Sequence, residues 1–201
     1  MKKILSFILI LAVLALSLCA CSGDPTETPT GEPGVHHVVM KLAGYGDVTI
    51  ELYEDIAPIT VAHFLDLVRS GYYDGTKISR VQVGFVIQGG QGAGTNTIKG
   101  EFAANGVENS LSHTKGVISM ARSTASDSAS DQFFISIDDA CAQSCDGGYA
   151  AFGKVIKGMD RIDKLVEDAM AQPDYAYYYY YNMGFLPESG QIKITSIKVV
   201  D

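Results

Sequence analysis

Short apolar runs broken by turn residues dominate the chain from Val35 onward. "HHVVMKL" (36–42) and "GDVTIEL" (46–52) are two β-rich arms around Ala43, Gly44, Tyr45 and Gly46, the pattern of a hairpin. Pro58 opens a stretch in which Val61, Phe64, Leu65 and Val68 recur at helical spacing, and Gly71 supplies a stop. Short strands are predicted over 78–81, 85–88, 117–120, 133–136 and 152–156. A second amphipathic helix carries Ile162, Leu165, Val166 and Ala169, and "IKITSIKVV" (192–200) closes the chain as a strand. Many short strands with two scattered helices predict a closed or nearly closed antiparallel sheet capped by helices.

The first 34 residues follow another pattern. Lys2 and Lys3 precede an apolar run over 4–18, then Cys19, Ala20, Cys21, Ser22 and Gly23. A basic start, a short apolar stretch and a small residue before the break predict a secretory signal peptide over 1–20. The run is about 15 residues, short of the roughly 20 that a permanent transmembrane helix needs. Its ending resembles a bacterial lipobox, with Leu18, Ala20 and an acylated Cys21. The implied protein is extracytoplasmic and lipid-anchored to the bacterial cell membrane, since each buried acyl CH2 contributes about 0.8 kcal/mol. "SGDPTETPTGEPG" (22–34) has no large apolar residue, so 21–34 is expected to be a disordered tether. The remainder, 35–201, is enough for one domain.

Charge narrows the partners. The net charge of -8 and the absence of a Lys/Arg cluster argue against nucleic acid. His36 and His37 lie at the tether's end and His63 and His113 are scattered, so no cluster has metal-site spacing and no metal is expected. "GGQGAGTNTIKG" (89–100) has no Gly-Lys-Ser/Thr and no helix directly after it, which excludes a nucleotide loop. No cofactor is expected, and a monomer is.

Three segments put polar side chains at the edges of apolar strands. They are "ISRVQVGFVIQGG" (78–90), "GVISMARSTASDSASDQFFISI" (116–137) and "DGGYAAFGKV" (146–155). As neighbours, Arg80, Gln88, Gln132 and Tyr149 would rim an apolar surface built from Phe85, Val86, Ala121 and Phe134. The three segments together resemble the cyclophilins, the peptidyl-prolyl cis/trans isomerases. The resemblance rests on Arg80, Gly84-Phe85, Gln88-Gly89-Gly90, Ser119-Met120-Ala121, 132–135, Asp146-Gly147 and 152–155. It extends to "APITVAHFLDLVRSGYYDGT" (57–76), and His113 is similar to a structural histidine of the family. It implies an all-β-dominated fold, a closed eight-stranded antiparallel barrel capped by two α-helices. It also implies catalysis of X–Pro rotation in proline-containing unfolded or exported polypeptides. By that resemblance Arg80 and Gln88 are catalytic. Phe85, Val86, Phe134, Cys145 and Tyr149 wall the proline pocket, and Ala121, Arg122 and Gln132 bind the peptide backbone. Alternation along the strand sends Phe133 into the barrel and Phe134 back to the pocket.

The chain departs from the family pattern at several points. It has no Trp, and Cys145 stands where a Leu usually precedes Asp-Gly. Arg122 and Tyr149 stand where many members have Asn and His. Cys141 and Cys145, four apart, are either a disulfide or free thiols. The stretch 173–190, with tyrosines at 177–181, matches no family motif. It is expected as an inserted loop or hairpin packed on the barrel, or as an adhesive surface, since tyrosine is common at interfaces. Two further readings stay open: a catalytically weak module or chaperone that holds proline-containing segments, and, on the tyrosines alone, a cell-wall or carbohydrate binder.

Overall fold

The computed structural model describes residues 34–92 and 95–201. The predicted leader, Cys21 and all of the tether but Gly34 lie outside the described residues. No helix among the described residues is long and apolar enough to cross a membrane.

Eight strands form the barrel. They are β1 (Val35–Leu42), β2 (Gly46–Tyr53), β3 (Lys77–Gln82), β4 (Val86–Gly89), β5 (Val117–Met120), β6 (Phe133–Ser136), β7 (Ala151–Lys157) and β8 (Ile192–Val199). They close in the order β1-β2-β7-β5-β6-β4-β3-β8. Every pairing is antiparallel, and β1 meets β8 with Val38 opposite Val199. Alternation dictates which face turns inward. Val38, Met40 and Leu42 of β1 and Val48, Ile50 and Leu52 of β2 are all buried, while Lys41 and Asp47 between them are exposed. β6 is buried on both faces: Phe133 and Ile135 belong to the barrel core, whereas Phe134 packs with Val86 in a second, smaller cluster outside it. The predicted alternation of the two phenylalanines is what the strand adopts.

Two twelve-residue helices pack on this core. α1 (Pro58–Arg69) buries Val61, Phe64, Leu65 and Val68. The Phe64 ring meets Phe133 edge-on at 5.9 Å. Its N-cap, Ala57, has no side chain to satisfy the first free N–H groups. The buried carboxylate of Glu101 does so from a distant loop, accepting from Ile59 N, Thr60 N and Thr60 Oγ1 at 3.1, 2.8 and 2.7 Å. That places negative charge at a helix N-terminus, where the macrodipole favours it. The second long helix, which becomes α3 (Met159–Met170) once α2 is counted, buries the predicted Ile162, Leu165, Val166 and Ala169.

Two short helices were not predicted. α2 (Ala142–Cys145) is one turn. α4 (Tyr175–Tyr181) corrects the expected loop or hairpin. Five adjacent aromatics carry no polar–apolar period, so hydropathy could not reveal a helix there. The helix turns Tyr175 inward, where its hydroxyl donates to Val81 O at 3.1 Å and accepts from Val83 N at 3.2 Å. Tyr177, Tyr180 and Tyr181 face solvent.

Candidate active site

Pairing register assembles the site. Arg80 on β3 lies opposite Gln88 on β4, and Gln88 lies opposite Phe134 on β6. Directly opposed residues share a face, so all three side chains leave the barrel on one side, joined by Val86 two residues from Gln88. They line a cavity of about 210 Å³. Phe85, Ala121, Arg122, Gln132, Cys145 and Tyr149 line it as well, so all ten expected pocket residues share one concavity.

The guanidinium of Arg80 is fixed by its neighbours. Nε donates to Met183 O at 2.8 Å, Nη1 to Gln88 Oε1 at 3.1 Å, and Nη2 to Gln82 Oε1. Three of the five N–H groups of the fork are thus used, leaving two for a ligand. Phe85 and Phe185 flank the cation, with ring centroids 5.9 and 5.4 Å from Cζ. Burial lowers the pKa of Arg80, and the Tyr149 and Cys145 groups act in the opposite direction; a guanidinium stays charged at neutral pH regardless. Gln88 passes the order along, donating to Gln132 Oε1 at 3.3 Å.

The loop after Gln88 must run close to β6. A Cβ on Gly90 would sit 2.7 Å from Asp131 O, and its φ of +98° also demands glycine. The buried Asp131 carboxylate then holds the loop, accepting from Gln91 N and Gly92 N at 2.9 and 2.8 Å.

Phe134 is braced from two sides. Tyr149 meets it edge-on at 5.5 Å, and His113 stacks behind it at 5.8 Å. His113 Nε2 lies 3.0 Å from Ser119 Oγ, and Nδ1 lies 2.7 Å from Asp146 Oδ1. Serine, histidine and aspartate in that order resemble a nucleophilic triad. Ser119 lies opposite Phe134 on the same face but is fully buried, so a substrate carbonyl has no route to it. The array is scaffold. Burial lowers the pKa of His113, against the pull of Asp146. Burial opposes ionisation of Asp146, but bonds from Ser112 and from the backbone and ring of His113 outweigh it and lower its pKa.

Arg122 and the cysteine pair make contacts that their expected roles did not include. Arg122 lines the cavity, but its Nε donates to Gly148 O at 2.9 Å and its Nη1 to Ser123 O and Thr124 O. Its guanidinium also lies 4.8 Å from the Tyr149 centroid, so it braces the pocket wall as well as facing the cavity. Cys141 and Cys145 are free thiols, which corrects the disulfide alternative: their sulfurs are 3.4 Å apart, and a bond needs about 2.05 Å. The shared S–H···S contact raises the pKa of Cys145, as burial does, and lowers that of Cys141.

One lining residue went unpredicted. Phe185 enters the cavity from the tail of the tyrosine-rich segment. That segment carries no motif, and only its pairing with β3 brings Phe185 to the site.

Residues 37–178 match the family model "Cyclophilin type peptidyl-prolyl cis-trans isomerase/CLD". The chain is similar to a peptidyl-prolyl cis-trans isomerase of Acinetobacter baylyi, 43% identical over 134 residues covering 64% of this chain and 71% of the relative. It is also similar to peptidyl-prolyl cis-trans isomerase A of Dickeya dadantii, 39% identical over 168 residues covering 79% and 83%. Among solved structures, a Cryptosporidium parvum cyclophilin-type isomerase superimposes with a TM-score of 0.67 at 26% identity, covering 83% of this chain and 98% of that one. A second crystal structure of that protein, obtained in the presence of the dipeptide Ala-Pro, gives a TM-score of 0.66 at 26% identity over 82% and 99%.

Proposed function

The chain belongs to the cyclophilin-type peptidyl-prolyl cis-trans isomerase family and is an isomerase of X–Pro bonds; from that premise we propose which residues do the work and where they do it. The reaction makes and breaks no covalent bond. Resonance stiffens the peptide C–N bond to a barrier of about 18–20 kcal/mol. The cis and trans forms of X–Pro are close in energy, yet exchange takes roughly tens to hundreds of seconds. At the twisted midpoint conjugation is lost, the prolyl nitrogen becomes pyramidal and its lone pair turns basic. A donor that meets this lone pair only when it is exposed lowers the barrier without tightening the ground state.

Arg80 has the properties for that role. Its charge is permanent, two N–H groups are free of protein partners, and three bonds fix its plane. The proline ring rests in the hollow of Phe85, Val86 and Phe134, closed by Cys145 and Tyr149. Gln88 and Gln132 hold the substrate backbone, with Ala121 beside them. A roughly ten-thousandfold acceleration needs about 5.4 kcal/mol, within reach of one charge-assisted contact together with orientation of the substrate. The observation that carries this reading is the placement of Arg80, Gln88 and Phe134 on one face by register, around one cavity.

The substrates are proline-containing segments of exported polypeptides, and the enzyme works outside the cytoplasm, tethered by lipid on Cys21. The basic start, the short apolar run and the lipobox-like Leu18, Ala20 and Cys21 support this location. Isomer exchange on an Ala-Pro peptide, with Arg80→Ala as control, tests the activity. Binding without faster exchange would leave a holder of proline segments. Metabolic labelling with a fatty acid tests the anchor: label that persists in Cys21→Ser rules it out.

A further inference from the structure

The tyrosine-rich segment ends in a turn that grips the arginine of the site. Residues 184–186 lie antiparallel to β3: Val81 N donates to Gly184 O and Leu186 N to Ser79 O, both at 2.9 Å. Arg80 and Phe185 are therefore directly opposed. These bonds flank the pair rather than joining it, which is the arrangement that brings opposed side chains closest. Phe185 must then project on Arg80's face, and it does so into the cavity.

The turn is held in unusual conformations. Met183 has φ +49°, the only positive value at a non-glycine among the described residues. Such a residue marks a place where surroundings overrule backbone preference. Here the result is that its carbonyl faces Arg80 Nε at 2.8 Å. Gly184 follows at φ +80°, with the Val81 carbonyl 2.5 Å from where a Cβ would be. Asn182 Nδ2 locks the far side by donating to Phe185 O at 3.0 Å.

We propose that Phe185 is a positioning residue for Arg80: together with Phe85 it confines the guanidinium while Met183 O fixes its plane, so that the two remaining N–H groups point at the prolyl nitrogen. This rests on the isomerase reading of Arg80. Phe185 also excludes water from one side of the cation, which strengthens its field in the cavity.

The test uses NMR line shapes on an Ala-Pro peptide, which give the on-enzyme isomerisation rate and the affinity separately, and the water-exchange rate of the Arg80 Nε–H signal. Phe185→Ala is expected to slow on-enzyme isomerisation about tenfold, one desolvated cation–π contact, with affinity changed less than about threefold. The Arg80 Nε–H is expected to exchange faster in that variant, and Phe185→Tyr to restore both. Tyr181→Ser, exposed on α4, is expected to leave both unchanged. An isomerisation rate like wild type in Phe185→Ala overturns the proposal; so does lost affinity with an unaltered Arg80 signal. Should Phe185→Ala melt without cooperativity, Phe185→Leu keeps the bulk, removes the aromatic face, and carries the same expectation. If Arg80→Ala itself isomerises normally, the isomerase reading fails first, and independently of Phe185.

Discussion

Replacing Arg80 tests the site most directly. In Arg80→Ala the cavity keeps Arg122 but loses the guanidinium beside Gln88 and its two N–H groups that have no protein partner. A preorganised donor acting only in the transition state is worth about 2.7–4 kcal/mol, and a bond to a charged group about 1.5–3 kcal/mol. Arg80 is half-buried and opens to solvent through the cavity, so a value near the overlap, about 3 kcal/mol, is appropriate. At about 1.36 kcal/mol per decade this is a loss of roughly a hundredfold in kcat/KM. Arg80→Lys keeps the charge but loses the fork. One ammonium cannot reproduce the directions to Met183 O, Gln88 Oε1 and Gln82 Oε1, so a loss of roughly tenfold is expected. Stability should change little, because Gln88 borders the open cavity, Met183 is exposed and Gln82 is half-buried, so water can replace the guanidinium at each acceptor. Isomer exchange on an Ala-Pro peptide, beside urea melts of each variant, measures both quantities. A folded Arg80→Ala within about threefold of wild type would refute the assignment.

Acidification should destabilise the fold in two steps. The pKa of His113 is lowered by burial, so the unfolded chain takes up its proton first: stability is flat above about pH 6.5 and declines below it. The lowered pKa of Asp146 gives stability that is present above about pH 3.9 and lost as pH falls through its folded value. Urea midpoints against pH should show both, with the first decline absent in His113→Gln. Gly90→Ala should cost about 1–3 kcal/mol, since the backbone at Asp131 blocks a Cβ and φ is positive; a melt within 0.5 kcal/mol of wild type, roughly a neutral surface change, contradicts the tight approach. Alkylation under denaturing, non-reducing conditions should label both Cys141 and Cys145; a cross-linked peptide would show that the thiols of the structure are not the state in solution.

Much of this architecture was legible because burial on one face leaves a period in the sequence. The hairpin over 36–52, the stripes of α1 and α3 and the opposite destinations of Phe133 and Phe134 all follow from alternation or helical spacing. The run of short strands points to a closed or nearly closed sheet and puts polar residues at strand edges. The eight-stranded barrel and the roles of the ten lining residues were legible only through family resemblance, because periodicity says nothing about which strands pair. The tyrosines hid α4, since a uniformly aromatic run has no polar face to mark a period. Phe185 was illegible for a different reason. Its role comes from a bridge to Arg80 more than a hundred residues away, and no local pattern encodes such a partner. The Glu101 cap on α1 is hidden in the same way.

The pairing of β8 with both β1 and β3 governs how the protein can be made. The ribosome releases β1 before the other strands of the barrel and β8 after them, so Val38 waits for Val199 until every strand between them has been made. Until then the margin of β1, and the Lys77–Ile78 end of β3 that residues 184–186 leave uncovered, are open to pairing with other chains. A single late strand sheathes both, so a nascent chain halted before residue 192 would hold most of its core and still be a template for aggregation.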